Sequence, residues 1–236
     1  MNMQRLMLGG LCAVMLTACA TSQPVGESGN PEPSGFLKDY SKLRPAADET
    51  EPAMVYFTPD KAKFKSYTKI LLEPVQIWRS EKPGIKHLNK EDATYLSEYL
   101  WARANEELSK DYTMVQQPGP GVARVRVAIT EAGKGVPMLD NLTAVHPGSM
   151  LVSKGKKKFT GTEAMVGSAS VEAEVTDSQT GELLVAGVDR RGGGKYAWKP
   201  LNTWEDVEQA CAYWAKKARW RACVLRGDST CELPKE

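Results

Sequence analysis

The stretch ASVEAEVTDSQTGELLVAGVDR, Ala169–Arg190, carries the clearest folding signal in the sequence. Its first half alternates small apolar residues with polar ones, and the apolar positions are Ala169, Val171, Ala173 and Val175. This period of two is typical of a β-strand with one buried face. The polar residues Asp177–Gly181 then turn the chain into a second apolar run. The stretch therefore predicts a β-hairpin with Glu172 and Glu174 on the exposed face of its first strand.

Three upstream segments predict further strands of the same sheet. Val122–Thr130 alternates valine and isoleucine with arginine and alanine, which is typical of a half-buried strand. Ile70–Leu72 is a continuous apolar run that fits a buried strand, and Pro74 after it marks an edge or a bend. Met54–Phe57 fits an edge strand.

Two longer segments predict helices. Asn89 is a favourable N-cap for a helix from Lys90 to about Lys110. A second helix runs from about Thr203 to Arg226 and ends at Gly227. Its apolar stripe consists of Val207, Ala210, Cys211, Trp214, Ala218 and Leu225. The order of elements predicts an α+β fold, in which a mainly antiparallel sheet carries both helices on one face.

The N-terminal residues 1–18 have the pattern of a secretory signal peptide. Arg5 provides a positive start, and the apolar run Leu6–Leu16 is too short to cross a bilayer. The following residues Leu16–Cys19 read LTAC and resemble the lipobox of bacterial lipoproteins. This resemblance implies cleavage before Cys19, a diacylglycerol thioether on its sulfur and an acyl group on the new amine.

The alternative is a plain cleaved signal with an incidental cysteine, but Cys19 stands at the required position behind a signal of the right length. Three acyl chains would make membrane attachment stable. Ala20, rather than aspartate, follows the lipidated residue. By resemblance to lipoproteins of enteric-type bacteria, this favours the outer membrane, with the protein facing the periplasm.

The mature chain divides into a tether and one domain. Residues 19–35 begin with the lipidated cysteine and are rich in Gly, Ser, Pro and Glu, so they are predicted to form a flexible linker. Residues 36–236 are predicted to form a single α+β periplasmic domain. Its first apolar residues are expected to dock on the domain body as a short turn, and they are Phe36, Leu37, Tyr40 and Leu43.

Composition and motifs exclude several classes of function. The chain has 31 Lys+Arg and 29 Asp+Glu, a near-balance that argues against a strongly basic nucleic-acid-binding protein. It has two histidines, and it contains no Gly-x-Ser-x-Gly, His-Glu-x-x-His or Walker-type motif. We therefore expect no enzymatic activity, no cofactor and no metal.

A long polar and glycine-rich segment, residues 133–162, contains the main concentration of charge. Its four clustered lysines are Lys154, Lys156, Lys157 and Lys158. Such a patch could bind anionic lipid, lipopolysaccharide phosphates or an acidic envelope protein, although a solvated loop is the simpler explanation. Trp198 lies in a separate loop and is the aromatic residue expected to be exposed. These five residues form the candidate binding surface.

Three cysteines remain after the signal and Cys19 are set aside, and helix geometry limits their pairing. Cys211 and Cys223 are about 18 Å apart along one helix, whereas a disulfide requires Cα atoms within roughly 7 Å. Cys231 can return to Cys223 through the turn at Gly227, but it cannot reach Cys211. The sequence therefore predicts a disulfide between Cys223 and Cys231, with Cys211 a buried free thiol.

Three segments together resemble one family. They are Ser34–Pro45 (SGFLKDYSKLRP), Tyr67–Val75 (YTKILLEPV) and Asp177–Glu182 (DSQTGE). In this order behind a lipobox they resemble the bacterial lipoprotein family catalogued as domain of unknown function 3313, over about residues 34–226. The resemblance implies no known reaction, cofactor or catalytic residue.

The sequence favours a non-catalytic, lipid-anchored envelope protein whose periplasmic domain binds a protein partner or an envelope polymer. The alternative is a binder of small amphiphiles or lipids in a groove between sheet and helices. A large exposed apolar patch on residues 133–162 would favour the first hypothesis. An apolar pocket of several hundred Å³ would favour the second.

Overall fold

The structure is a computed structural model that describes residues 23–24, 33–79, 85, 88–133, 168–192 and 204–235. Within these residues one sheet is built from β1 (Gln23–Pro24), β2 (Arg44–Pro45), β3 (Met54–Phe57), β4 (Lys69–Leu72), β5 (Gln76–Ile77), β6 (Thr113–Met114), β7 (Val122–Gly133), β8 (Ser168–Asp177) and β9 (Leu183–Gly192). The helices are α1 (Lys90–Leu108), α2 (Glu205–Arg226) and a short 3-10 helix at Lys61–Ser66.

The strands are ordered β2-β3-β9-β8-β7-β4-β6, with β1 also paired to β9 and β5 to β7. Pairings among β1, β2, β3, β7, β8 and β9 are antiparallel, whereas β4 and β5 pair parallel to β7 and β6 pairs parallel to β4. The α+β class is confirmed, but the sheet is mixed and not antiparallel throughout. The reason is α1, which carries the chain back across the sheet after β5, so that β7 can run in the same direction as β4.

The predicted hairpin is formed by β8 and β9. Val175 faces Val185 across the ladder, and the alternating side chains divide between the two faces of the sheet. Asp177 closes the turn, because its Oδ1 accepts a hydrogen bond from the backbone N–H of Thr180 at 2.7 Å. Gly181 follows with φ of 73°, a conformation that a side chain would disfavour.

Capping residues mark the start of α1 and the end of α2, as predicted. The side chain of Asn89 accepts a hydrogen bond from the N–H of Asp92 at 2.7 Å and starts α1. Gly227 adopts a left-handed conformation with φ of 81° and ends α2, and its N–H donates to the carbonyl of Val224. None of the helices in the described ranges is both long and apolar enough to cross a membrane.

The two helices pack side by side on one face of the sheet, as predicted. Leu96 of α1, Val207 of α2 and Ile129 of β7 are fully buried in one shared cluster. Complete burial of such a side chain contributes roughly 1.5–3 kcal/mol. This cluster therefore holds both helices over the central strands.

The N-terminal segment Ser34–Leu43 covers the opposite face of the sheet. Phe36 and Leu37 are buried there against Ala186 and Val188 of β9. The expected docking of this segment is confirmed, with a turn in which the N–H of Leu43 donates to the carbonyl of Tyr40. The predicted linker also contributes Gln23 and Pro24, which pair with Gly192 and Arg191.

The prediction that Glu172 is a surface residue was wrong. Its side chain lies beneath the N-terminal segment and is 1% exposed. Glu172 accepts hydrogen bonds from the hydroxyl of Tyr40 at 2.5 Å and from the N–H of Ser34 at 3.0 Å. Its neighbour Glu174 forms an ion pair with Arg126 on the same face. The N-terminal segment, although distant in sequence, thus buries a face of β8 that the sequence pattern indicated to be exposed to solvent.

Candidate binding cavity between the sheet and the helices

A cavity of about 1080 Å³ lies between the helix-bearing face of the sheet and the two helices. Pockets for small organic ligands typically occupy roughly 300–1,000 Å³, so this space could hold a substantial ligand. Most of its lining is apolar. The sheet contributes Val55, Phe57, Ile70, Val125, Val127 and Val185, and the helices contribute Leu100, Leu108, Trp214, Ala215, Ala218 and Leu225.

The cavity exists because small residues face one another across the layer. On the floor, Ala173 of β8 carries a single methyl group, and Gly187 of β9, which Pro52 partly covers, carries no side chain. On the roof, α2 presents Ala215, Ala218 and Ala222. Protein interiors normally fill such space to crystal-like density, and here the side chains are too short to meet. The sequence thus leaves an apolar space beside a well-packed core.

Aromatic residues wall one end of the cavity. Phe64, on the 3-10 helix, and Tyr67 pack against Ala123 and Leu184. The hydroxyl of Tyr67 donates a hydrogen bond to Asp177 at 2.9 Å. Burial and this carboxylate raise the pKa of Tyr67 to about 12, so the hydroxyl stays protonated at neutral pH. This end of the cavity is therefore a fixed, uncharged wall.

Two cations of α2 also line the cavity. Arg221 donates from its guanidinium to the carbonyl of Thr50 at 2.6 Å and lies 4.6 Å from the ring centroid of Trp220. Burial lowers the pKa of Arg221 from its usual value. Lys217 lies one turn earlier and donates to the hydroxyl of Tyr213 at 3.0 Å. These two groups bring positive charge to the edge of an apolar space.

Asp189 is an acidic group in the cavity lining. It accepts hydrogen bonds from the indole N–H of Trp214 at 2.7 Å and from the N–H of Ala53 at 3.3 Å. Burial raises the pKa of Asp189, because its charged form loses contact with water, and the Trp214 hydrogen bond offsets only part of this effect. Through its two hydrogen bonds, Asp189 of β9 connects this strand to α2 and to the loop before β3.

This raised pKa predicts a pH dependence of stability. The folded state binds the Asp189 proton more tightly than the unfolded state, so this residue's contribution to stability falls as the pH rises from the ordinary value of 3.8 through the folded value. We expect Asp189→Asn, which cannot ionise, to gain stability relative to the native protein as the pH rises. Urea unfolding at several values between about pH 4 and about pH 8 tests this. A constant difference across that range would contradict it.

The structure contains the predicted disulfide. Cys223 and Cys231 are bonded, with their Cα atoms 5.8 Å apart, and the bond joins the C-terminal tail to the last turns of α2. Cys211 is a buried free thiol, also as predicted. Burial raises its pKa to about 12, which suppresses the reactive thiolate form.

The other residues singled out in the sequence lie outside the described part of the chain. These are the lipidation site Cys19 and the candidate binding surface of Lys154, Lys156, Lys157, Lys158 and Trp198. Among the described residues, no group of three His, Cys, Asp or Glu side chains is arranged to hold a metal ion. The cavity residues Lys217 and Arg221 were not singled out. The sequence did contain a signal for the cavity beside them, because α2 carries alanines at positions where a core helix normally carries larger side chains.

Comparisons with known proteins identify a family. A family model described as a protein of unknown function, DUF3313, matches residues 32–218. Among solved structures, a candidate lipoprotein from Caulobacter crescentus CB15 is 14% identical, with a TM-score of 0.37 and coverage of 71% of this chain and 98% of its own. A PelC dodecamer from Paraburkholderia phytofirmans is 10% identical, with a TM-score of 0.35 and coverage of 75% and 96%. No curated protein matches the sequence. Because the family model spans most of the chain, this protein belongs to the DUF3313 family, as its sequence motifs predicted.

Proposed function

We propose that this protein is a non-catalytic lipoprotein of the cell envelope that binds the apolar part of a small amphiphile in the cavity. The observation that carries this proposal is the apolar space of about 1080 Å³ between sheet and helices. An apolar pocket of this kind was the feature expected of the amphiphile-binding alternative. The surface expected of a protein-binding or polymer-binding domain lies in residues 133–162, nearly all of them outside the described part of the chain.

The polar groups around the cavity support binding rather than a reaction. Glu131 is paired with Arg190, with 2.6 Å between Oε1 and a guanidinium nitrogen. Glu51 binds Arg44 through two hydrogen bonds of 2.6 and 2.9 Å. Asp189 is held by Trp214. Carboxylates engaged in this way position structural elements, and the remaining apolar surface is suited to a hydrocarbon chain.

Two features support the envelope location. The lipobox Leu16–Cys19 predicts an acylated N-terminus, and Ala20 favours transfer to the outer membrane. The Cys223–Cys231 disulfide is typical of an oxidising compartment such as the periplasm. We propose that the domain faces the periplasm, where lipids and other amphiphiles pass between the two membranes.

Binding of simple hydrocarbon chains tests the cavity directly. The full mature chain with Cys19→Ser keeps every residue of the domain and lacks acyl groups that would compete for the site. We expect it to bind linear alcohols with an affinity that rises about fourfold per added CH₂, because each buried CH₂ contributes about 0.8 kcal/mol. The gain should stop when the chain fills the cavity. Isothermal titration in detergent-free buffer measures this series.

A variant that fills the cavity provides the second arm of the test. Ala173→Phe places a ring on the cavity floor, and Ala102→Phe makes the same change on the exposed face of α1. We expect Ala173→Phe to weaken binding about fifteen-fold, if the ring displaces two methylene groups of the ligand. The fold should be kept or stabilised, since filling a cavity commonly adds about 0.5–2 kcal/mol. Equal binding by both variants, or no binding of any alcohol, would reject the cavity as the site.

A further inference from the structure

Lys217 and Arg221 are separated by one helical turn and lie on the same side of α2 as the alanines of the cavity roof. Both side chains are half-buried. Ala218, between them in sequence, is part of the same lining. A chain lying along this roof would therefore have its end within reach of two cations on one element.

No carboxylate within the described residues forms an ion pair with Lys217 or Arg221, although Asp48 and Glu51 attract Arg221 from a longer distance. Lys217 donates to the hydroxyl of Tyr213 and lies 5.1 Å from the ring centroid of Trp220. Arg221 donates to the carbonyl and hydroxyl oxygens of Thr50. These hydrogen-bond partners are neutral, so both cations can still bind an anion directly.

The other two cations of the lining, Arg190 and Arg191, contact groups of the domain, although the buried Nε of Arg190 has no hydrogen-bond partner within the described residues. Arg190 is paired with Glu131, and Arg191 is 3% exposed and lies 3.7 Å from the ring centroid of Tyr213. Lys217 and Arg221 are half-buried cations of the lining whose hydrogen-bond partners are neutral within the described residues.

Three carboxylates of the loop before β3 also line the cavity, and two of them, Asp48 and Glu51, attract Arg221 without forming an ion pair with it. Glu51 is bound to Arg44. Asp48 accepts hydrogen bonds from the N–H and hydroxyl of Thr50, at 2.8 and 2.5 Å. Glu49 is exposed to solvent. Water and salt screen the attraction of the exposed Asp48 and Glu49 to the two cations, whereas the largely buried carboxylate of Glu51 is engaged by Arg44.

We propose that the amphiphile bound in the cavity is anionic, with its carboxylate or phosphate held between Lys217 and Arg221 and its chain lying under the alanines of α2. This inference rests on the proposed function and names the ligand class of the same site. A guanidinium beside an ammonium suits both head groups, because arginine binds carboxylate and phosphate through two parallel hydrogen bonds.

Ligands with one chain and different heads test the assignment. The probes are dodecanol, dodecanoate, dodecyl phosphate and dodecyltrimethylammonium, titrated calorimetrically against the full mature Cys19→Ser chain. We expect the two anions to bind at least tenfold more tightly than dodecanol, and the cation more weakly than either anion. A stronger response to dodecanoate would indicate a free fatty acid, and a stronger response to dodecyl phosphate would indicate a phospholipid-type head.

Charge-neutral variants locate the head group. Lys217→Gln with Arg221→Gln should abolish the preference for the two anions over dodecanol, measured as the ratio of affinities within the same variant. The control, Lys216→Gln with Lys90→Gln, removes the same net charge from exposed positions of α2 and α1 and should keep the preference. Since Arg221 also holds Thr50, Lys217→Gln alone provides a variant that keeps those hydrogen bonds. In Lys217→Gln the ratio of anion affinity to dodecanol affinity should fall at least threefold.

The outcomes separate the two proposals. If dodecanol binds but the anions gain nothing, or if the double variant keeps the preference, the head-group assignment is wrong and the cavity proposal stands. If the cation binds as tightly as the anions, the assignment is also wrong. If no probe binds, both proposals fail.

Discussion

Replacing Cys19 by serine should leave an uncleaved or soluble precursor that incorporates no labelled fatty acid and no longer fractionates with the outer membrane. The lipobox implies that the sulfur of Cys19 carries the diacylglycerol, and serine offers no thiol for that thioether. A single acyl chain gives only marginal and reversible membrane binding, whereas several chains anchor a protein stably. Loss of this one atom should therefore abolish anchoring through acyl chains. The measurements are membrane fractionation and incorporation of labelled fatty acid.

Cys12→Ser is the matched control. Cys12 lies within the predicted signal peptide, so the same substitution there should leave processing, acylation and membrane retention unchanged. If the Cys19→Ser protein still fractionates with the outer membrane as the native protein does, the lipoprotein hypothesis is wrong. The plain-signal alternative predicts that neither substitution changes the fractionation.

The elements that sequence predicted correctly are those specified by neighbouring residues. The β8–β9 hairpin follows from a period-two pattern and a turn in which Asp177 caps the backbone. The start of α1 follows from Asn89, and the end of α2 follows from Gly227. The Cys223–Cys231 disulfide was predictable because helix rise and chain reach excluded Cys211. In each case the determining contact spans only a few residues.

The features that sequence missed depend on distant segments. The parallel pairing of β4 with β7 is set by where α1 returns the chain, which no local pattern encodes. Glu172 occurs in an alternating strand, and only the segment around Tyr40, 132 residues away in sequence, buries it. Polar residues on one face of a strand indicate that the face is exposed to solvent. This indication fails when another part of the chain covers the face and supplies hydrogen-bond donors to the polar residues.

The cavity could be predicted only in part. The apolar stripe of α2 was recognised, and its members Trp214, Ala218 and Leu225 do face the sheet side of the helix. However, a pattern of apolar positions does not reveal whether the opposing layer fills the space. Whether the space is filled depends on the residues that lie opposite the alanines of α2. Here they include the small residues Ala173 and Gly187, which only the folded structure brings together with those alanines. Lys217 and Arg221 lie on the same helix, and in the sequence they resemble ordinary residues of its polar face.

Removing the hydroxyl of Tyr40 should cost about 3 kcal/mol of unfolding free energy. This oxygen accepts hydrogen bonds from the N–H groups of Gly35 and Leu37, at 2.9 and 3.2 Å, and donates to Glu172 at 2.5 Å. Hydrogen bonds to charged groups contribute roughly 1.5–3 kcal/mol, and a buried group left without its partner adds a desolvation penalty. Tyr40→Phe leaves Glu172 buried with one donor fewer. It should also loosen the segment that holds Phe36 on the sheet.

Tyr56→Phe separates this network from ordinary tyrosine packing. Tyr56 packs against the same apolar cluster, and none of the hydrogen bonds within the described residues involves its hydroxyl, so its loss should change stability by less than about 0.5 kcal/mol. For a chain of this size, a loss of about 3 kcal/mol corresponds to a fall in Tm of about 6–12 °C. Urea and thermal unfolding of the two variants measure the difference, and proteolysis near residue 34 reports whether the segment detaches. Equal stability of Tyr40→Phe and Tyr56→Phe would mean that apolar burial of Phe36 and Leu37 alone holds the segment, and that Glu172 tolerates its buried position without Tyr40.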